Sequence, residues 1–190
     1  MTRKNKQKFS RNIYLLGATS FLNDVSSDMV LPIFPIFITL LHGGGLAIGL
    51  IGGIGDSLAS FLKAISGYIS DKVGKRRVIA AGFGVAGFAS LLFAYATDII
   101  TLILAFVLYG LYMAIEDTVP RAYMADIAEE HEKGVVIGAY HTVFGTFVFP
   151  ASVIVGYLWQ NFGLSYGFIY ASLMSFIAML LAAVVIKENK

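Results

Sequence analysis

Apolar residues run through this chain in long blocks, and polar residues gather between them. Six blocks approach or exceed 20 residues, at about 12–41, 46–70, 78–97, 99–123, 134–159 and 165–186. A helix of that length crosses the hydrocarbon core of a bilayer. The blocks are apolar nearly all round, whereas helices of a soluble domain carry a polar outer face. The pattern predicts an all-α polytopic membrane protein. A basic cytoplasmic tail occupies 1–11, six transmembrane helices fill 12–186, and a cytoplasmic tail follows over 187–190. Little chain is left for a soluble domain or a linker.

Composition agrees. Hydrophobic residues make up 57% and charged residues 14% of the chain, with a mean hydropathy of +0.77. Soluble domains carry about 25% charged residues. The position of the charges sets the topology. Arg3, Lys4, Lys6, Lys8 and Arg11 precede span one, and Lys72, Lys75, Arg76 and Arg77 follow span two. Arg121 and Lys133 flank the loop after span four, and Lys187 and Lys190 follow span six. The connections near 42–45, 98 and 160–164 hold no Lys or Arg. The positive-inside rule then puts both termini and the even-numbered connections in the cytoplasm, in a multi-pass protein of the cell (inner) membrane. The basic tail is no cleavable signal, because the apolar run after it is too long and no small-residue site closes it. A net charge of +2 reflects topology and headgroup attraction, not nucleic-acid binding. With no cysteine, disulfides and thiol chemistry are excluded.

Polar residues inside the spans are the candidate chemistry. Asp24 and Asp28 lie one helical turn apart in span one, beside Ser20, Asn23 and Ser27. Ionisable groups at this depth face a bundle interior or a watery cavity. Desolvation and mutual repulsion favour protonation of one of them. The pair either carries a proton or cation, or one acid bonds permanently to a neighbouring helix. In span four, Glu116 shares a face with Tyr109, Tyr112 and Met113, which marks a cavity or substrate-binding face and a second candidate for proton exchange. Asp117 is four residues before Arg121, a spacing that predicts an intrahelical pair. Asp56 and Lys63 in span two either pair across an interface or snorkel. His141 in span five is a packing residue or, with Asp24 and Asp28, a ligand for a divalent cation.

Two spans carry small and polar residues at steps of three or four: Gly49, Gly53, Asp56, Ser60, Lys63 and Gly67 in span two, then Gly138, Thr142, Gly145, Ser152 and Gly156 in span five. Such faces permit close helix packing. Gly82, Gly84 and Gly87 in span three serve packing too, since no phosphate loop sits inside an apolar span. Pro32, Pro35 and Pro150 mark helix bends.

The short connection "GYISDKVGKRR" over 67–77 closely resembles the G-x-x-x-D-[RK]-x-G-[RK]-[RK] signature of the major facilitator superfamily. Gly67, Asp71, Lys72, Gly74, Lys75 and Arg76 fill its positions, and Arg77 extends it. "ADIAEEHEKGVVIGAY" resembles the loop after span four in that family, and "DVSSDM" with Pro32 and Pro35 resembles a first span. The resemblance covers nearly the whole chain. Members normally have twelve spans in two halves, so six spans make one half, built of two three-helix repeats. Residues 12–80 look like the start of an N-terminal half, and the stretch from Leu108 looks more like the end of a C-terminal half. A natural half-size member, an internal deletion and an engineered splice all fit.

The resemblance implies a secondary-active transporter with its substrate site between halves. Spans one and four line the cavity, two and five join the halves, and three and six lie outside. Two parallel copies would restore a twelve-span body, an isologous homodimer in which Asp71 faces the start of span five near Gly134 of the other copy. Arg121 and Asp126 belong to the cytoplasmic gate, with Asp126 bonded to Arg76 or Arg77. The expected function is proton-coupled efflux of a small solute by alternating access, through Asp24, Asp28 and Glu116, with no cofactor. The alternatives are a divalent-metal transporter using Asp24, Asp28 and His141, and a non-transporting half that acts as a scaffold. No Walker motif, Gly-x-Ser-x-Gly elbow or His-Glu-x-x-His points to an enzyme.

Overall fold

The computed structural model describes residues 44–128 and 130–185, with residues 19, 35, 36, 38 and 39 before them. Five long helices follow one another: α1 Gly45–Val73, α2 Lys75–Tyr95, α3 Ile99–Ile127, α4 Lys133–Phe162 and α5 Leu164–Val185. They occupy predicted spans two to six in order, and no strand occurs among the described residues. Over described residues, α1, α2, α3 and α5 are each long and apolar enough to cross a membrane. Most of span one, including Asn23, Asp24, Ser27 and Asp28, lies outside the described residues.

The helix ends follow from local chemistry. Gly74 adopts φ +103° between α1 and α2, a conformation that side chains disfavour. Its N–H bonds the Ser70 carbonyl at 3.0 Å and closes α1. Gly163, at φ +102°, makes the same abrupt joint between α4 and α5. Asp98 caps α3: one carboxylate oxygen accepts the N–H groups of Ile100 and Thr101 at 2.9 Å, and the other accepts the Thr101 hydroxyl at 2.7 Å. These bonds satisfy donors that a helix start leaves orphaned.

Packing centres on α2, which sits between α5 on one side and α3 on the other. Its composition allows this. A side chain at Gly82 would come within 2.7 Å of Ile115 on α3, one at Gly84 within 2.8 Å of Met179 on α5, and one at Gly87 within 3.0 Å of the Phe176 ring. The glycines let three helices approach closely. Of α2's most apolar stretch 67% is buried, against 17% for α1. Span three, expected on the outside, is thus the most buried of these four helices, because small residues on both its faces admit neighbours.

Aromatic rings fill the centre. Phe93 packs edge-on against Phe106 with centroids 4.9 Å apart and stacks on Phe168 at 5.3 Å, geometries that aromatic quadrupoles favour. By contrast, α1 leans on α3 through a narrow seam. At the crossing, the Gly55 carbonyl lies 2.9 Å from where a Gly110 side chain would begin. The Ser66 hydroxyl donates to the Ala114 carbonyl of α3 at 3.0 Å. Among the described residues α4 touches only α5 and α3, and lightly.

Candidate functional site

Among the described residues, one charge cluster lies within the spans. Lys63 Nζ of α1 reaches Asp117 Oδ2 of α3 at 2.8 Å, and Arg121 Nη2 reaches Asp117 Oδ1 at 3.3 Å. Lys63 is ten residues before the Val73 end of α1, about 15 Å along the axis. Charge is costly at such depth unless paired. Both oxygens of Asp117 are therefore committed to cations, one to Lys63 and one to Arg121. The Asp117–Arg121 pair matches the spacing in the sequence. Lys63 as the second partner does not. The signal that points to it is a lone lysine and an aspartate at similar distances from their helix ends. Asp56 stays on the exposed side of α1.

A second cluster joins the helix ends. Lys75 binds Asp71 of α1 at 3.1 Å and also binds Asp126 near the end of α3. Its side chain is only 15% exposed, while Asp71 is 69% exposed. One ammonium thus ties the ends of three helices. A side chain at Gly67 would begin 3.4 Å from the Thr118 methyl on α3, and Lys72 lies over the Tyr68 ring at 4.4 Å. Asp126 was expected on Arg76 or Arg77; Lys75 holds it instead. Helix phase explains this. α2 begins at Lys75, directly after the Gly74 turn, so Lys75 points back to α3. Arg76 and Arg77 follow about 100° and 200° further round.

The expected cavity residues divide. Tyr109 and Tyr112 are buried, at 7% and 1% exposure, and Tyr109 belongs to the aromatic group around Phe93. They form part of the helix core. Met113 and Glu116 are half-buried on the same helix. His141 is exposed on α4, where the Thr142 hydroxyl bonds the Gly138 carbonyl at 2.9 Å. Among the described residues no group of three or more His, Asp or Glu is arranged to hold a metal. Asp24 and Asp28 of the metal reading lie outside those residues.

Two open faces complete the picture. Side chains added at Gly49 and Gly53 of α1, or at Gly134, Gly138 and Gly156 of α4, would meet nothing within 4 Å. Gly138 and Gly156 are five turns apart and share one face. α1 and α4 do not pack on each other among the described residues.

The sequence profile of the Major Facilitator Superfamily matches residues 16–190. An uncharacterized MFS-type transporter of Methanocaldococcus jannaschii is 51% identical over 75 residues, covering 40% of this chain and 19% of that protein. A second such transporter of the same organism is 23% identical over 188 residues, 96% of this chain and 49% of its own length. Multidrug resistance protein 2 of Bacillus subtilis is 21% identical over 175 residues, 92% of this chain and 44% of that protein. The chain spans about half the length, or less, of these curated relatives.

Proposed function

Since this chain belongs to the Major Facilitator Superfamily, we propose that it forms one six-helix half of a secondary-active transporter, completed by a parallel second copy. The observation that carries this reading is the pair of open glycine faces on α1 and α4. In a two-fold dimer each face of one copy meets the other face of its partner, which gives an isologous contact. The acids of span one and Glu116 then surround the cavity on the axis, and alternating access proceeds by rocking one half against the other. The Lys75 latch holds the cytoplasmic ends of α1, α2 and α3 as one moving body.

Proton coupling runs through Asp24, Asp28 and Glu116. Asp117 is left out of this role because both its carboxylate oxygens are taken up by Lys63 and Arg121. Export of a small solute is the favoured direction, in keeping with the name of the Bacillus subtilis relative. The basic connections favour a reading with both termini in the cytoplasm of an inner-membrane protein.

The test is flux in proteoliposomes, with a panel of fluorescent lipophilic cations and quinolones driven by an imposed pH gradient. The wild type is expected to move at least one probe, and Asp24→Asn with Asp28→Asn to abolish the pH dependence while helix content is kept. A dimeric, well-folded wild type that moves none of the panel would contradict the transport reading.

A further inference from the structure

A groove of about 470 Å³ runs between α1 and α2 with α3 as its floor. Its walls are apolar: Leu62, Ile69 and Val73 from α1, Ala81 and Val85 from α2, and Leu111 from α3. Two lining residues are polar, Ser66 and Arg77. The Ser66 hydroxyl is already engaged with the Lys63 and Ala114 carbonyls. Among the described lining residues Arg77 is thus the one charged group of the groove, at its basic mouth. A second cleft of about 370 Å³ opens on the other side of the same arginine, lined by Arg76, Arg77, Ala80 and Ala183. No ion pair engages Arg76 or Arg77 among the described residues.

We infer that this composite site binds one anionic phospholipid of the leaflet on the basic side. The phosphodiester lies in the cleft against Arg76 and Arg77, and an acyl chain lies in the groove. The dimensions fit. From Arg77 to Val85 is eight residues of helix, about 12 Å, close to the depth of one leaflet, half of a hydrocarbon core of about 30 Å. The chemistry fits as well. Arginine forks bind phosphate oxygens in a bidentate manner, and basic pockets between spans hold anionic headgroups. An acyl chain gains little on leaving lipid for protein, since both are apolar. Selectivity therefore comes from the arginines, and the groove contributes shape. The groove also avoids the contact between copies. Leu62 lies nine residues beyond Gly53, about two and a half turns, so it is on the opposite side of α1. The inference rests on the membrane reading and requires neither transport nor a dimer.

Native mass spectrometry of the full chain, released from nanodiscs holding equal phosphatidylglycerol and phosphatidylcholine, tests it. The wild type should retain phosphatidylglycerol over phosphatidylcholine by about tenfold or more. Arg76→Gln with Arg77→Gln should reduce that preference to about twofold or less. Ala81→Phe, which fills the groove and keeps both arginines, should lower retention of phosphatidylglycerol. Equal retention of the two lipids by the wild type overturns the inference. So does a preference that survives loss of both arginines, or retention unchanged by Ala81→Phe. The readout is the lipid bound per chain, so failure here leaves the transport reading untouched, and a lack of flux leaves this one untouched.

Discussion

α1 and α2 are both glycine-rich membrane helices, yet their glycines do opposite things. Those of α2 are filled from both sides by Ile115, Met179 and Phe176. On α1, Gly55 and Gly67 meet α3, and Gly49 and Gly53 face open space. α2 is held by shape. α1 is held by a glycine crossing and by polar ties, Ser66 to the Ala114 carbonyl and Lys63 to Asp117. Lipid tails are as apolar as leucine, so a membrane helix gains little by hiding apolar surface. Close fit and polar ties must do the work, and among the described residues α1 has fewer close contacts than α2. Its remaining glycine face is the part of this half built to meet something else.

Filling the two kinds of glycine should separate them most sharply. Gly82→Leu forces atoms onto the Ile115 side chain and should cost about 3 kcal/mol, read as a collapsed melting temperature or lost folded yield. Gly53→Leu adds a side chain to open space and should leave chain stability within about 0.5 kcal/mol. A comparable loss at both sites would erase the distinction.

The polar seam comes next. Asp117→Leu leaves Lys63 and Arg121 without their shared acid. Removing one partner of a buried pair costs about 3–5 kcal/mol; this carboxylate is 28% exposed, so a loss of about 1–3 kcal/mol is expected. The double variant Lys63→Met with Asp117→Leu should be less destabilised than Asp117→Leu alone. A thermal melt of the wild type, both single variants and the double variant checks the order. If Lys63→Met costs nothing in either background, α1 does not depend on that tie.

Association is the third contrast. Gly53→Leu and Gly156→Leu should each shift the particle toward monomer by about tenfold or more, about 1.4 kcal/mol, while Phe88→Ala, on an exposed part of α2, should not. Sedimentation in detergent at several dilutions reads this directly.

The smallest effect belongs to a helix start. The Thr101 N–H and then its hydroxyl, with the Ile100 N–H, hold the Asp98 carboxyl below its ordinary value of 3.8. A depressed folded-state value means that the cap stabilises fully above the ordinary carboxylate range and fades as pH falls through the lowered one. Asp98→Ala should therefore lower the melting temperature slightly at neutral pH, and the difference should vanish in strong acid.

Much of this was legible in the chain. Apolar blocks of bilayer length locate the helices, because hydropathy needs no partner to be read. Gly74 and Asp98 mark joints through strictly local chemistry. The signature over 67–77 pointed to the family that the profile match then showed. What could not be read were relations between helices. Gly82 and Gly53 look alike in sequence, and only the neighbouring helix tells a filled glycine from an open one. Lys63 and Asp117 are far apart in the chain, and their meeting depends on the register of α1 against α3. That Lys75, and not Arg76 or Arg77, takes Asp126 depends on where around its axis α2 begins.

The central claim is that the open faces of α1 and α4 meet between two copies. The chain has no cysteine, so a pair can be introduced cleanly. Gly53 lies eight residues from the Gly45 end of α1 and Gly156 six residues from the Phe162 end of α4. That is about 12 Å and 9 Å of helix, a matched depth for antiparallel neighbours. Gly53→Cys with Gly156→Cys, oxidised in native membranes, should give a covalent species near twice 20.5 kDa at an efficiency that dilution in lipid does not reduce. A chain that stays at 20.5 kDa under oxidation, with both thiols open to alkylation, would show that these faces do not meet.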